Sequence, residues 1–239
     1  MSNWIMHIMI AERLLAEGLH ADAHAFCIGS IAPDCNIENE DWTAFVPPRE
    51  VTHWMRENSK LSADYEGFYQ QKILNGDVRN DCEYSFLLGY YAHLMTDAMF
   101  AAFIMDPVRV KASFRRLKNE PAYRKVLDNV PQTHEELKRH FSRRERSVDL
   151  VAYEKLHVVN HPDCLYNALV RTTTDFPDEW ADLPSGAIAR KIRLMAYEVE
   201  GKPEDMKGLF FSKEELDGFI EKVVCKLREK LINTKEEAL

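Results

Sequence analysis

The longest hydrophobic stretch in the chain runs from Asn80 to Met105, NDCEYSFLLGYYAHLMTDAMFAAFIM, and is apolar almost throughout. A run of about 20 residues is enough to cross a bilayer. This one, however, carries His93 and Asp97 near its middle, and an ionisable pair in a lone span is costly. The pattern instead predicts the central helix of a bundle, apolar on all sides because other helices surround it. Asn80 followed by Glu83 is a variant of the capping box and marks the start, while Pro107 marks the stop. His93 and Asp97 stand four residues apart, so they project from one face of that helix.

Helical periodicity recurs on both sides. Residues Asn3 to Gly18 place Ile5, Met9, Ile10, Leu14 and Leu15 in register, with His7 able to face inward. A second helix opens at Ala21 or Asp22 and closes at Gly29, leaving Asp34 on a turn just past Pro33. Cys35 to Pro48 reads as an irregular acidic surface loop, after which Pro47 and Pro48 open a short helix over 49–58 that holds His53. Ser62 caps the next helix, which ends at Asn75 and Gly76. Beyond Pro107, helices are predicted at Val108 to Lys118, Pro121 to Asn129, Thr133 to Phe141, Val148 to Val159, Pro162 to Thr172 and Ser185 to Glu200. A last helix runs from Ser212, with Glu215 as its box partner, to about Asn233. No internal repeat or low-complexity linker interrupts the series. The fold class read from this pattern is all-α: a single-domain multi-helix bundle, 1–239, around a long buried central helix at about 80–105.

Composition supports that reading. A hydrophobic fraction of 46% and 10% aromatics argue for a packed core, and nine glycines with little alternating polarity disfavour sandwiches and barrels. The net charge of −8 repels a nucleic-acid backbone in the mean field, so no nucleic-acid partner is expected. One basic run, Lys138 to Arg146, reads as a solvated helix end, with a phosphate contact as the alternative. The five cysteines contain no CxxC, and the N-terminal MSNWIMHIMIAERLL lacks a positive leader region. The expectation is a cytoplasmic protein with reduced thiols and no transmembrane segment.

Candidate chemistry lies on four segments: His7, Asp34, His53 and the His93/Asp97 pair. Imidazole nitrogen with carboxylate oxygen is the donor set of a hydrolytic zinc site rather than a closed structural one. The segments MSNWIMHIMIAERLL, FCIGSIAPD, PPREVTHW and FLLGYYAHLMTD resemble, in order and spacing, the zinc-dependent phospholipase C family. The motif-bearing part is 1–105; the remainder, 106–239, is similar only in being helical. The resemblance implies an all-helical fold with a metal cluster in a cleft. It implies that Asp34, His53, His93 and Asp97 hold one zinc ion, that His7 serves a second with Asp97 bridging, and that Asp34 doubles as a general base. Three neutral imidazoles and two carboxylates total −2, which balances one zinc ion.

The departures from the family are specific. Secreted members use the amine and carbonyl of a mature N-terminal Trp, whereas Trp4 here follows Met1, Ser2 and Asn3. The position of a third metal's His is Phe103, and no downstream HxxxE exists, so that third site is expected to be absent. His157 and His161 form an HxxxH directly before Pro162, read as structural. The function expected is a metal-dependent phosphoric-ester hydrolase, phospholipase C-like, acting on a small phosphate-ester or phospholipid headgroup-like substrate. The alternative is a catalytically reduced metal-binding scaffold of the same fold.

Overall fold

The computed structural model describes residues 4–199 and 205–233; the expected helix start at Asn3 and end at Glu200 lie outside them. Helix α1 (Trp4–Ala16) buries Ile5, Ile8, Ile10 and Leu14 together with His7. Its first turn is fixed from across the fold, because the backbone N–H of Met6, which has no acceptor within its own helix, donates to Glu154 Oε1 at 2.8 Å. Helix α2 (Ala23–Gly29) is capped by Asp22, whose carboxylate accepts the Ala25 N–H. A tight turn, Ala32–Asp34, then delivers Asp34.

The next stretch departs from expectation. Instead of an irregular loop, residues 35–48 contain a two-stranded antiparallel hairpin, β1 (Ile37–Glu38) and β2 (Phe45–Val46), with Ile37 opposite Val46. Asn39 Oδ1 closes its loop by accepting the N–H groups of Thr43 and Ala44, both at 2.9 Å. The helix expected over 49–58 is a single turn, α3 (Arg49–Thr52), and Trp54 follows it at a positive φ of 50°. Asp64, not Ser62, caps the next helix, α4 (Tyr65–Phe68), which a wider turn prolongs to Leu74.

The apolar run forms α5 (Asp81–Met105), unbroken, with Asn80 accepting the Glu83 N–H at its start. By length and composition α5 could span a membrane, but 61% of its most apolar window is buried by neighbouring helices. Helix α2 lies directly against it, backbone to backbone. A Cβ at Gly29 would fall 2.0 Å from the Phe86 carbonyl oxygen, and one at Gly89 would fall 2.1 Å from that of Phe26. Only glycine permits that approach.

Beyond α5 come α6 (Pro107–Asn119), the short α7 (Pro121–Arg124), α8 (His134–His140), α9 (Arg143–Arg146), α10 (Val148–Asn160), α11 (Ala187–Val199) and α12 (Lys213–Arg228). The helix expected over Pro121 to Asn129 stops early, and the one expected over Pro162 to Thr172 is a wide turn, Tyr166–Val170. The predicted box of α12 is present in both directions between Ser212 and Glu215. Asp149, buried at the start of α10, accepts the N–H groups of Gly208, Phe210 and Phe211 and so pins the strand of chain leading into α12. Phe103 stacks on Phe211 and packs against Phe219 of α12, tying the end of α5 to the C-terminal part of the chain. In the basic run, Lys138 pairs with Glu135, and Arg139 and His140 with Glu136.

Candidate metal centre

Four elements bring His7, Asp34, His53, His93 and Asp97 to one place. Helix α5 supplies His93 and Asp97 from one face, with His93 Nε2 3.1 Å from Asp97 Oδ2. Helix α1 lays His7 flat on His93, ring centroids 4.1 Å apart, and brings His7 Nε2 to 3.7 Å from Asp97 Oδ1. The turn after α2 places Asp34 Oδ1 3.1 Å from His53 Nε2, and the same nitrogen lies 3.4 Å from Asp97 Oδ2. His7, His93 and Asp97 form one group of donor atoms mutually within 4.8 Å, and Asp34, His53 and His93 form another. His93 belongs to both.

The backbone decides which nitrogens face inward. His93 Nδ1 lies 2.8 Å from the Ser30 carbonyl, and His53 Nδ1 lies 3.2 Å from that of Arg49. A carbonyl can only accept, so the Nδ1 of His93 carries a proton and its Nε2 turns inward toward Asp97, while the Nε2 of His53 faces Asp34 and Asp97. His93 Nε2 is buried without a hydrogen-bond partner, as is His7 Nδ1. Lone pairs of nitrogen and oxygen converging in a buried space repel one another unless a cation lies among them. The donor set and its orientation therefore fit a divalent metal, with the carbonyls as the outer shell that fixes ligand direction. His53 is further held by Thr52, whose own carbonyl accepts a hydrogen bond from Tyr90 of α5 at 2.5 Å.

Electrostatics agree. Burial and the neighbouring His93 lower the His7 pKa to about 3, against the attraction of Asp97, so its ring is neutral at physiological pH. Burial pushes Asp34 and Asp97 upward, but Lys60 and the adjoining histidines outweigh it and hold both carboxyls well below the usual range. His53 is pushed down by burial and Lys60, yet its hydrogen bonds to Asp34 and Asp97 leave it raised.

Lys60 was not among the expected residues. It follows Ser59, which opens a short turn (Lys60–Ser62), and its Nζ donates to Asp97 Oδ2. Nothing in the polar stretch ENSK marks it, since the contact spans 37 positions and follows no periodicity. Its ammonium sits against the carboxylate assigned to bridge two metals, at an edge of the cluster where it is partly exposed.

Residues 6–100 match the family described as zinc dependent phospholipase C. No curated protein and no solved structure matches the chain. The matched stretch contains all five predicted residues and Lys60, and ends before Phe103. The order of its motifs and the match together place this stretch, residues 6–100, in the zinc-dependent phospholipase C family.

Proposed function

We propose that the protein is a zinc-dependent phosphoric-ester hydrolase with phospholipase C-like chemistry, acting on a small phosphate ester or a phospholipid headgroup-like substrate. The observation that carries this reading is the inward lone pair of His93 Nε2, buried without a donor and facing Asp97. Asp34, His53, His93 and Asp97 hold one zinc ion, and His7 with Asp97 lines the place of a second. Zinc bound there supplies Lewis acidity toward a phosphoryl oxygen and lowers the pKa of water enough to make it nucleophilic at neutral pH.

The protein's own residues do the rest. Asp34 is ionised and more exposed than Asp97, so it can accept a proton or a hydrogen bond from water at the open side of the cluster. Lys60 and one zinc against two carboxylates leave a net charge of +1, which suits an anionic phosphoryl group. A cytoplasmic, single-domain protein is part of the same proposal. It is supported by five cysteines without a pairing motif and by the packing of both α1 and α12 on α5.

A second reading is a metal-binding scaffold with reduced or no activity. The Lys60 ammonium on Asp97 and the phenyl ring of Phe103 favour it. The deciding measurement is turnover by zinc-loaded and chelator-stripped protein on a choline phosphodiester and on a phosphomonoester, each with a chromogenic leaving group. The proposal expects hydrolysis of at least one ester that vanishes with the metal. His93→Ala and Asp97→Asn should lose metal and turnover together, roughly 100-fold or more, while the circular dichroism stays helical. Bound zinc without turnover on either ester would establish the scaffold instead.

A further inference from the structure

A second group of metal-type donors lies outside the cluster just described. Glu12 stands on α1, five residues past His7; His157 stands on α10; Cys164 follows the turn that leaves α10. One donor atom from each lies mutually within 4.8 Å. His157 Nε2 and Glu12 Oε2 are 3.1 Å apart. Tetrahedral zinc with bonds of about 2.0 to 2.3 Å has ligand-to-ligand edges of roughly 3.3 to 3.8 Å. The His157–Glu12 pair is already near such an edge, and the thiol completes a set mutually within 4.8 Å.

Local structure holds the three in place. The Cys164 N–H donates to the His161 carbonyl at 3.0 Å, a turn through Pro162 that returns the thiol to the end of α10. The Leu165 N–H donates to Glu12 Oε1 at 2.5 Å, which orients the carboxylate and leaves Oε2 toward His157. Cys164 is buried, and Glu12 and His157 are partly exposed. On the far side, Glu12, His157 and His161 line a cavity of about 780 Å³ that also reaches Tyr153 and Asp217.

Charge points to the same occupant. The Cys164 thiol carries a proton that a metal ion replaces on binding. Zinc displaces that proton to solvent, and thiolate, carboxylate, neutral imidazole and Zn²⁺ then sum to zero. Among divalent ions, a mixed sulfur, nitrogen and oxygen set favours zinc and its neighbours over magnesium or calcium.

We infer that Glu12, His157 and Cys164 form a second zinc site, separate in its ligands from the family's cluster, which ties α1 to α10 and opens its fourth position to the 780 Å³ cavity. Sulfur separates it from the first cluster, whose donors are all nitrogen and oxygen. The test is a cobalt titration of the full-length, chelator-stripped protein, followed by near-ultraviolet absorption and metal analysis. The site predicts a saturable thiolate-to-cobalt charge-transfer band, displaced by zinc. Cys164→Ser should abolish the band and lower the bound metal by one equivalent. His157→Asn should weaken it roughly tenfold or more. His93→Ala, which strikes only the first cluster, should leave the band intact, so failure of one site is distinguishable from failure of the other. No band at saturating cobalt, or a band that persists in Cys164→Ser, overturns the proposal.

Discussion

Of the five candidate ligands, only the His93/Asp97 pair follows from local spacing; His7, Asp34 and His53 were singled out by the order of motifs that resembles the family. HxxxD on one helix face needs only helical geometry. What sequence could not show is the source of each imidazole's orientation. The acceptors on His93 and His53 are backbone carbonyls of Ser30 and Arg49, which any residue supplies. Lys60 was equally hidden, because a long side chain reaching Asp97 obeys no periodicity. Its consequence is testable. A unit positive charge about 4 Å from an incoming cation at an effective dielectric near 20 costs about 4 kcal/mol per unit charge of that cation. That far exceeds the 1.4 kcal/mol of a tenfold change in affinity. Lys60→Met keeps the stem and removes the charge, leaving a neutral His7 and Asp97 free to accept a second ion. We expect one more zinc equivalent per chain than the parent binds, measured by metal analysis and titration calorimetry. An unchanged stoichiometry would show that Lys60 moves aside on its own when metal enters.

At the scale of elements, hydrophobic pattern located every long helix, and the failures fell where contacts rather than periodicity set the backbone. The single turn of α3 ends because Trp54 takes a positive φ and its carbonyl accepts the Asp64 N–H. Asp64 displaces Ser62 as the cap since its carboxylate reaches the Gly67 N–H at 3.1 Å. The same lesson governs α2 against α5. Gly89→Ala improves intrinsic helix propensity by up to about 1 kcal/mol. Here its Cβ would fall 2.1 Å from the Phe26 carbonyl oxygen and 2.9 Å from the Ser30 nitrogen, forcing the helices apart. Overpacking of this kind costs about 1 to 3 kcal/mol. The shift also moves the Ser30 carbonyl that orients His93. Gly89→Ala should therefore unfold at lower denaturant and bind zinc more weakly. Gly218 on α12 has open space around its Cβ position, so Gly218→Ala should gain about 0.5 to 1 kcal/mol with unchanged zinc affinity. Equal effects of the two substitutions would show that the close approach of α2 and α5 is not a constraint.

At the scale of the molecule, the hairpin that carries the chain from Asp34 toward His53 is fastened to α11. Glu38 of β1 accepts from Arg190 at 2.7 Å and from Lys191 at 2.6 Å, with Lys191 and the Glu38 side chain both buried. The Lys191 ammonium also lies 5.2 Å from the Trp42 ring centroid, at the hairpin's tip. Burial pushes the Glu38 carboxyl up, but Arg190 and Lys191 outweigh it and bring the pKa from 4.5 to about 2. A folded-state value below the unfolded one means that the unfolded chain binds the extra proton. The stabilisation is thus full above pH 4.5 and disappears as pH falls from there to about 2, with an upper limit of about 3 kcal/mol. Acid also releases zinc, so the comparison belongs in metal-free protein. Denaturant unfolding from pH 7 to 2 should show the parent losing stability below about pH 5 more steeply than Glu38→Gln. The variant should start lower at pH 7, because it leaves Lys191 buried without a counter-charge, and the gap should narrow steadily toward pH 2. A gap that stays constant across the titration would mean that the clamp between hairpin and α11 does not depend on the Glu38 charge, and that the acid sensitivity of the fold originates elsewhere.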